Sequence, residues 1–259
     1  MERKSLRVTV AVLLIGFAVG LTGTSCKEKA EVGKVPHGTP AAVPDKVEAY
    51  RKSIEETQGI TVAKVNGVNI AMSDLITEMN EVAPSYLKPG EERNPDIDKK
   101  VRDEALENLI RDTLVYQEAK RQGIKVPPKM VDEELKKIKA GMKSEEAYTE
   151  HLSRSGVTEK DVKENIARDL IFRMIFQKEV LDKVKVAREL VRQTYEREKA
   201  SYKGPSGQMS FEEARPLIEQ KLMTEAVQKR EDAWIKGLKK NARIEISLGE
   251  KAKAIQGVY

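Results

Sequence analysis

The chain has 259 residues, of which 34% are charged, 39% hydrophobic and only 5% aromatic, the composition of a soluble, largely helical protein with exposed charged faces. Its 47 basic and 42 acidic residues are interleaved and leave a net charge of +5. No basic block or aromatic-studded basic face stands out, which argues against nucleic acid as a partner.

The chain opens with a short basic segment, "MERKSLR", followed by the apolar run "VTVAVLLIGFAVG" and the small residues "LTGTSC". This pattern reads as a secretory signal over residues 1–25. The run is shorter than the ~20 residues a spanning helix needs, so a permanent anchor helix is not expected. It ends at Cys26, the only cysteine in the chain. Ser25 and Thr24 resemble the approach to the lipidated cysteine of bacterial lipoproteins; Gly23 departs from it, since leucine is usual there. Lipidation at Cys26 is therefore expected, and the plainer alternative is a chance cysteine within a signal peptide. A lipidated Cys26 leaves no other cysteine for a disulfide, and loss of the signal would leave a charge of +3.

Residues 26–59 are rich in proline, glycine and charge, and read as a flexible tether, with 45–57 compatible with a short helix. Order is expected from Ile60. Two β-prone runs, "ITVAKV" and "VNI", flank Asn66-Gly67, the strongest short-range hairpin signal. Ser73 is placed to cap the helix that follows, and 84–96 reads as a loop. Over 97–122, Ile97, Val101, Ala105, Leu109, Ile110, Thr113 and Leu114 share one stripe, and Gly123 is the expected stop. Further helices are expected after Pro127-Pro128, over 144–156 from Ser144 to Gly156, and from Thr158, where Thr158 and Asp161 form a capping box. A helix over 187–202 runs into the connector "YKGPSGQMS", after which Ser210 and Glu213 form a second capping box. The last helix reaches about Lys240, with Pro216 just past its first turn, where proline bends or delays a helix. "ARIEIS" (242–247) alternates like a strand, and an isolated strand must pair. The hairpin at 60–70 is its expected partner, which would make 60–247 one folding unit, with 248–259 as a tail. The fold class expected is mainly α, a multi-helix module with a small sheet.

No catalytic or metal constellation is visible. His37 and His151 sit in the tether and on a charged helix, and no zinc pattern, P-loop, G-x-S-x-G or G-x-G-x-x-G occurs. The carboxylates lie beside lysines and arginines in the spacing of helix-surface ion pairs. No catalytic residue, metal site or cofactor is expected.

The order of segments carries more information. "VAKVNGVNIAMSDL" precedes "ALENLIRDTLVYQEAKRQGIKVPPKMVDEELKKI" and "GVTEKDVKENIARDLIFRMIF"; "VRQTYEREKASYKG" precedes "MSFEEARPLIEQKL" and a terminal "ARIEI". Over about 60–247 this resembles the SurA and PrsA group of extracytoplasmic chaperones and foldases. In that group the helix matching 187–202 usually leads into a parvulin-type peptidyl-prolyl isomerase domain. Here the chain returns at once through 203–209, and no Gly-Gly loop of the isomerase type occurs. The resemblance thus implies the chaperone module without the enzyme: a membrane-tethered periplasmic holdase for unfolded exported polypeptides, outer-membrane proteins in particular. It implies client contacts on apolar helix surface. Leu170, Ile171, Phe172, Met174, Ile175 and Phe176, the most apolar patch after the signal, are candidates, although such a patch is more often core. Adaptable methionines at 72, 79, 130, 142, 174, 209 and 223 would suit the same role. Two other readings stay open: a scaffold lipoprotein dedicated to one envelope complex, and an isomerase or foldase. An exposed apolar groove would favour the holdase, and a closed, fully packed module the scaffold.

Overall fold

A computed structural model of the chain describes residues 57, 59–87, 94–155, 157–204 and 207–248. The expected signal, Cys26, most of the tether and the tail beyond Leu248 lie outside the described residues. Within them the fold is mainly helical, with seven α-helices and two small sheets.

Strands β1 (Thr61–Val65) and β2 (Val68–Ala71) form the hairpin. Its turn is of the expected kind: Asn66 and Gly67 have φ of 50° and 87°, the left-handed region that asparagine tolerates and glycine favours. Helices follow as α1 (Met72–Val82), α2 (Pro95–Arg121), α3 (Pro128–Ala140), α4 (Glu145–Ser155), α5 (Glu159–Glu179), α6 (Arg188–Glu198) and α7 (Phe211–Lys240). Between α6 and α7, β3 (Lys203–Gly204) and β4 (Gly207–Gln208) pair antiparallel as a two-stranded ribbon. Strand β5 (Ile244–Ile246) lies beside β1, giving the order β2-β1-β5. The Asn66 N–H donates to the Arg243 carbonyl at 2.9 Å and the Ser247 N–H to the Val62 carbonyl at 2.9 Å, so the last strand pairs with the first as expected.

Helix ends follow local chemistry. Thr158 and Ser210 close capping boxes with Asp161 and Glu213. The Ser144 hydroxyl accepts from the Ala147 N–H at 3.2 Å, and Gly123 ends the turn after α2 with φ of 71°. Ser73 is not the cap of α1. The helix begins one residue earlier, at Met72, and the Asp74 carboxylate accepts the Ala71 N–H at 3.2 Å. A carboxylate at a helix N-terminus outcompetes a hydroxyl because it also meets the positive end of the helix dipole. Pro216 lies inside α7 without ending it.

The described chain divides into two compact units. One holds the hairpin turn 65–68 and residues 110–245; the other holds β1 to Lys64, residues 69–109 and residues 246–248. In the second, Met72, Leu75, Ile76 and Met79 of α1 and Val101 and Ala105 of α2 are almost fully buried. Asn108 Nδ2 donates to Glu78 Oε1 at 2.8 Å, joining α2 to α1. Tyr86 donates to Glu104, which pushes the phenol pKa up to about 12.

The first unit has three apolar clusters. Val115, Ala119, Ile175, Val180, Trp234 and Ile235 form one; Leu135, Tyr148, Val162, Ile166 and Leu170 a second; Val191, Tyr195, Ala214, Ile218 and Leu222 a third. The hairpin turn is tied into this unit by side chains. Asn66 Nδ2 donates to Gln117 Oε1 at 2.8 Å, Asn66 Oδ1 accepts from the Arg243 N–H at 2.8 Å, and Gln117 Nε2 donates to the Val65 carbonyl at 3.0 Å. Asn66→Ala removes two of these bonds and puts at a positive φ a residue that tolerates it less well than asparagine, so a loss of about 2–3 kcal/mol in urea unfolding is expected. Asn66→Gly relieves the backbone and should recover about 1 kcal/mol. A loss below about 0.5 kcal/mol in Asn66→Ala would show that the turn is not held from its side chain.

Candidate functional site

The expected client patch divides between two cores. Leu170 is buried in the second cluster, whereas Ile175 is buried in the first, with Ile171, Phe172 and Phe176 half-buried against it. Met174 is half-buried. At 100° per residue a continuous apolar run turns its side chains toward both neighbours of α5. The methionines separate too: Met72 and Met79 are fully buried, Met142, Met174 and Met209 half-buried, and Met130 and Met223 exposed.

A cleft of about 670 Å³ lies elsewhere in the same unit. The ends of α2, α5 and α7 and the Asn66 turn enclose it. Leu114, Trp234 and Leu238 give it an apolar floor, and Gly237 faces open space, with nothing within 4 Å of where a β-carbon would stand. The floor is narrow, since Leu114 and Trp234 are only 3% and 9% exposed. Asn66, Gln117, Gln122 and Asn241 line it with amides, and Glu118, Arg121, Glu179 and Arg230 supply charge.

These charges are locked to one another. Arg121 donates to Glu118 through Nε at 2.7 Å and Nη2 at 2.6 Å. Gln122 Nε2 donates to Glu118 at 2.7 Å and to Glu179 at 2.8 Å, which orients the amide, since its oxygen would repel both carboxylates. Lys183 pairs with Glu179, and Arg230 Nε donates to the Glu179 carbonyl at 2.8 Å. The Arg121 guanidinium holds Glu118 below the usual carboxylate range, and the Lys183 ammonium, helped by Gln122 and Arg230, does the same for Glu179. Two positive and two negative lining groups balance. The lining of the cleft therefore carries no net charge.

The chemistry of the remainder is structural. Burial pushes Asp169 up to about 6, against the pull of Arg173 and Arg168, but Asp169 does not line the cleft. Among the described residues no group of His, Cys, Asp and Glu could hold a metal ion, and no helix is long and apolar enough to cross a membrane. His151 is half-buried on α4.

The SurA-like N-terminal domain profile matches residues 45–176, just over half of the chain. The chain belongs to the SurA-like N-terminal domain family. A similar solved structure comes from work on the virulence factor PEB4 and the periplasmic protein Cj1289, two structurally related SurA-like chaperones of Campylobacter jejuni. It aligns with a TM-score of 0.51 over 73% of this chain and 99% of that one, at 14% identity, so the likeness is one of fold. A search of curated proteins finds no match. The family match ends at residue 176, so Glu179 and all of α7, and with them most of the cleft, lie beyond the part that defines a SurA-like N-terminal domain.

The depressed carboxylates give the cleft a pH signature. A carboxylate with a lowered folded pKa adds stability that is present above its unfolded value of 4.5 and is lost as pH falls through the folded value. Glu179→Gln is thus expected to cost about 1–2 kcal/mol at pH 7. Urea midpoints measured from pH 7 downward should show the gap to the unchanged chain closing below pH 4.5. A gap independent of pH would contradict the pairing.

Proposed function

We propose that this SurA-like chain is an exported, membrane-tethered holdase that binds unfolded polypeptides and does not catalyse prolyl isomerisation. Family membership supports a chaperone role in general. The observation that carries the binding mode is the cleft at Trp234: an apolar floor, four amides at its walls and charges already paired among themselves. Such lining offers apolar contact for a client side chain, ringed by polar groups that are already paired within the protein, with the Asn241 amide beside them.

Two observations support a non-enzymatic role. Residues 199–210 turn directly from α6 into α7 through a short 3₁₀ turn and the β3–β4 ribbon. The ribbon stands where relatives of the SurA and PrsA group usually carry the isomerase. The acids with lowered pKa around the cleft are paired with cations, the arrangement of a structural network rather than of a proton-transfer pair.

Tethering through Cys26 and a periplasmic address rest on the sequence of the first 26 residues. The narrow floor favours a second reading, a scaffold with one dedicated partner, because little apolar area is open to a promiscuous client.

The chain carrying Cys26→Ser is expected to suppress light scattering by an unfolded outer-membrane protein, with no acceleration of proline-peptide isomerisation in a parallel assay. Gly237→Phe should fill the cleft without unfolding α7, since the position faces open space and glycine is the poorer helix former. It should raise the concentration needed for suppression about tenfold, equivalent to about 1.4 kcal/mol of binding. Equal suppression by both chains would move client binding away from the cleft. Isomerisation above background would overturn the non-enzymatic reading, and silence in both assays would favour the dedicated scaffold.

A further inference from the structure

The second apolar cluster is covered by a helix poorly suited to its place. Of its five buried residues, Leu135 belongs to α3 and Val162, Ile166 and Leu170 to α5, while α4 supplies only Tyr148. Helices α3 and α5 pack directly on each other. Helix α4 adds Leu152, half-buried, four residues after Tyr148 and on the same face. On that face the Tyr148 hydroxyl and His151 Nε2 are both buried without a hydrogen-bond partner in the protein. Each polar atom loses water on closure and gains nothing in return. With 11 residues, α4 is also shorter than the roughly 12–15 that a helix needs to persist alone in water.

Besides Tyr148 and Leu152, α4 is fastened to its neighbours by one lysine. Lys139 Nζ bonds Glu145 at 2.8 Å and Glu159 at 2.7 Å, and sits 4.7 Å from the centre of the Tyr148 ring. The clasp ties the start of α4 to the end of α3 and the start of α5.

We propose that α4 is a displaceable lid, and that the α3–α5 face beneath it is a second binding site, for a client segment with apolar side chains at positions i and i+4. The occupant is defined by what it replaces: it repeats the Tyr148–Leu152 spacing without the two stranded polar atoms. The inference rests on the reading that this chain binds unfolded polypeptide, and it supplies the apolar area that the narrow cleft lacks. It also gives Leu170 a client-facing role that the closed structure hides.

The test uses the Cys26→Ser chain and a fluorescent 20-residue peptide with Phe and Leu four residues apart. Hydrogen exchange over 145–155 is measured beside peptide affinity. Tyr148→Phe removes a stranded hydroxyl, so exchange should slow about fivefold and the apparent Kd rise about fivefold, because less of the open form is populated. Lys139→Met breaks the clasp, and should speed exchange and tighten binding. Tyr148→Phe alone suffices should Lys139→Met fail to fold. Altered exchange with unchanged affinity would overturn the lid as a gate, as would exchange that responds to neither change. No peptide binding by the unsubstituted lid would contradict the chaperone reading together with this one, whereas binding that ignores the lid contradicts this one alone.

Discussion

The C-terminal strand is joined to the hairpin at its turn, through Asn66, and along β1, through Ser247. Asn66 exchanges two hydrogen bonds with Arg243, 177 residues further on, one through its backbone N–H and one through its side-chain oxygen. Its remaining amide group holds Gln117 of α2. Only a residue that tolerates positive φ and carries both a donor and an acceptor can do this. These bonds bring the start of β5 and α2 together at one wall of the cleft. The entropy of closing so long a loop grows only slowly with its length.

Helices α6 and α7 show how the fold continues without a further domain between them. Tyr195 stacks on Tyr202 and meets Phe211 edge-on, and its hydroxyl donates to the Met209 carbonyl at 2.7 Å. Lys221 bonds Glu198 at 2.8 Å, and with Arg197 holds that carboxylate down to about 2. These contacts draw both ends of the 199–210 connection onto the two helices. The connection is thus a bonded part of the unit, with Lys203 and Gly204 paired to Gln208 and Gly207.

Local signals were legible in the sequence wherever the physics is local. The Asn-Gly turn needs two left-handed residues, and both are present. The two capping boxes need a hydroxyl and a carboxylate three residues apart, and both form. The pairing of β5 could be inferred because a lone strand has to pair. Ser73 misled because the helix starts straight from β2, with Ala71 at the cap position and Ser73 already inside the first turn. The apolar run 170–176 misled in a different way: contiguity in sequence is not contiguity on a helix, so Leu170 and Ile175 serve different cores. The cleft was not legible. Gln122 and Glu179 lie 57 residues apart, and neither belongs to a motif; only the packing of α2, α5 and α7 brings them together. The one available signal was Trp234, a single tryptophan among charged residues near the end of a long helix.

That tryptophan allows a direct measurement of whether the cleft receives unfolded polypeptide. Trp234 is the only tryptophan of the chain and lies in the cleft floor. Its emission can be followed as a tryptophan-free unfolded polypeptide is titrated in, with light scattering recorded on the same samples. The account expects a saturable change in Trp234 emission over the concentrations at which aggregation is suppressed, and its loss in Gly237→Phe. Suppression of aggregation with no change in Trp234 emission would contradict it.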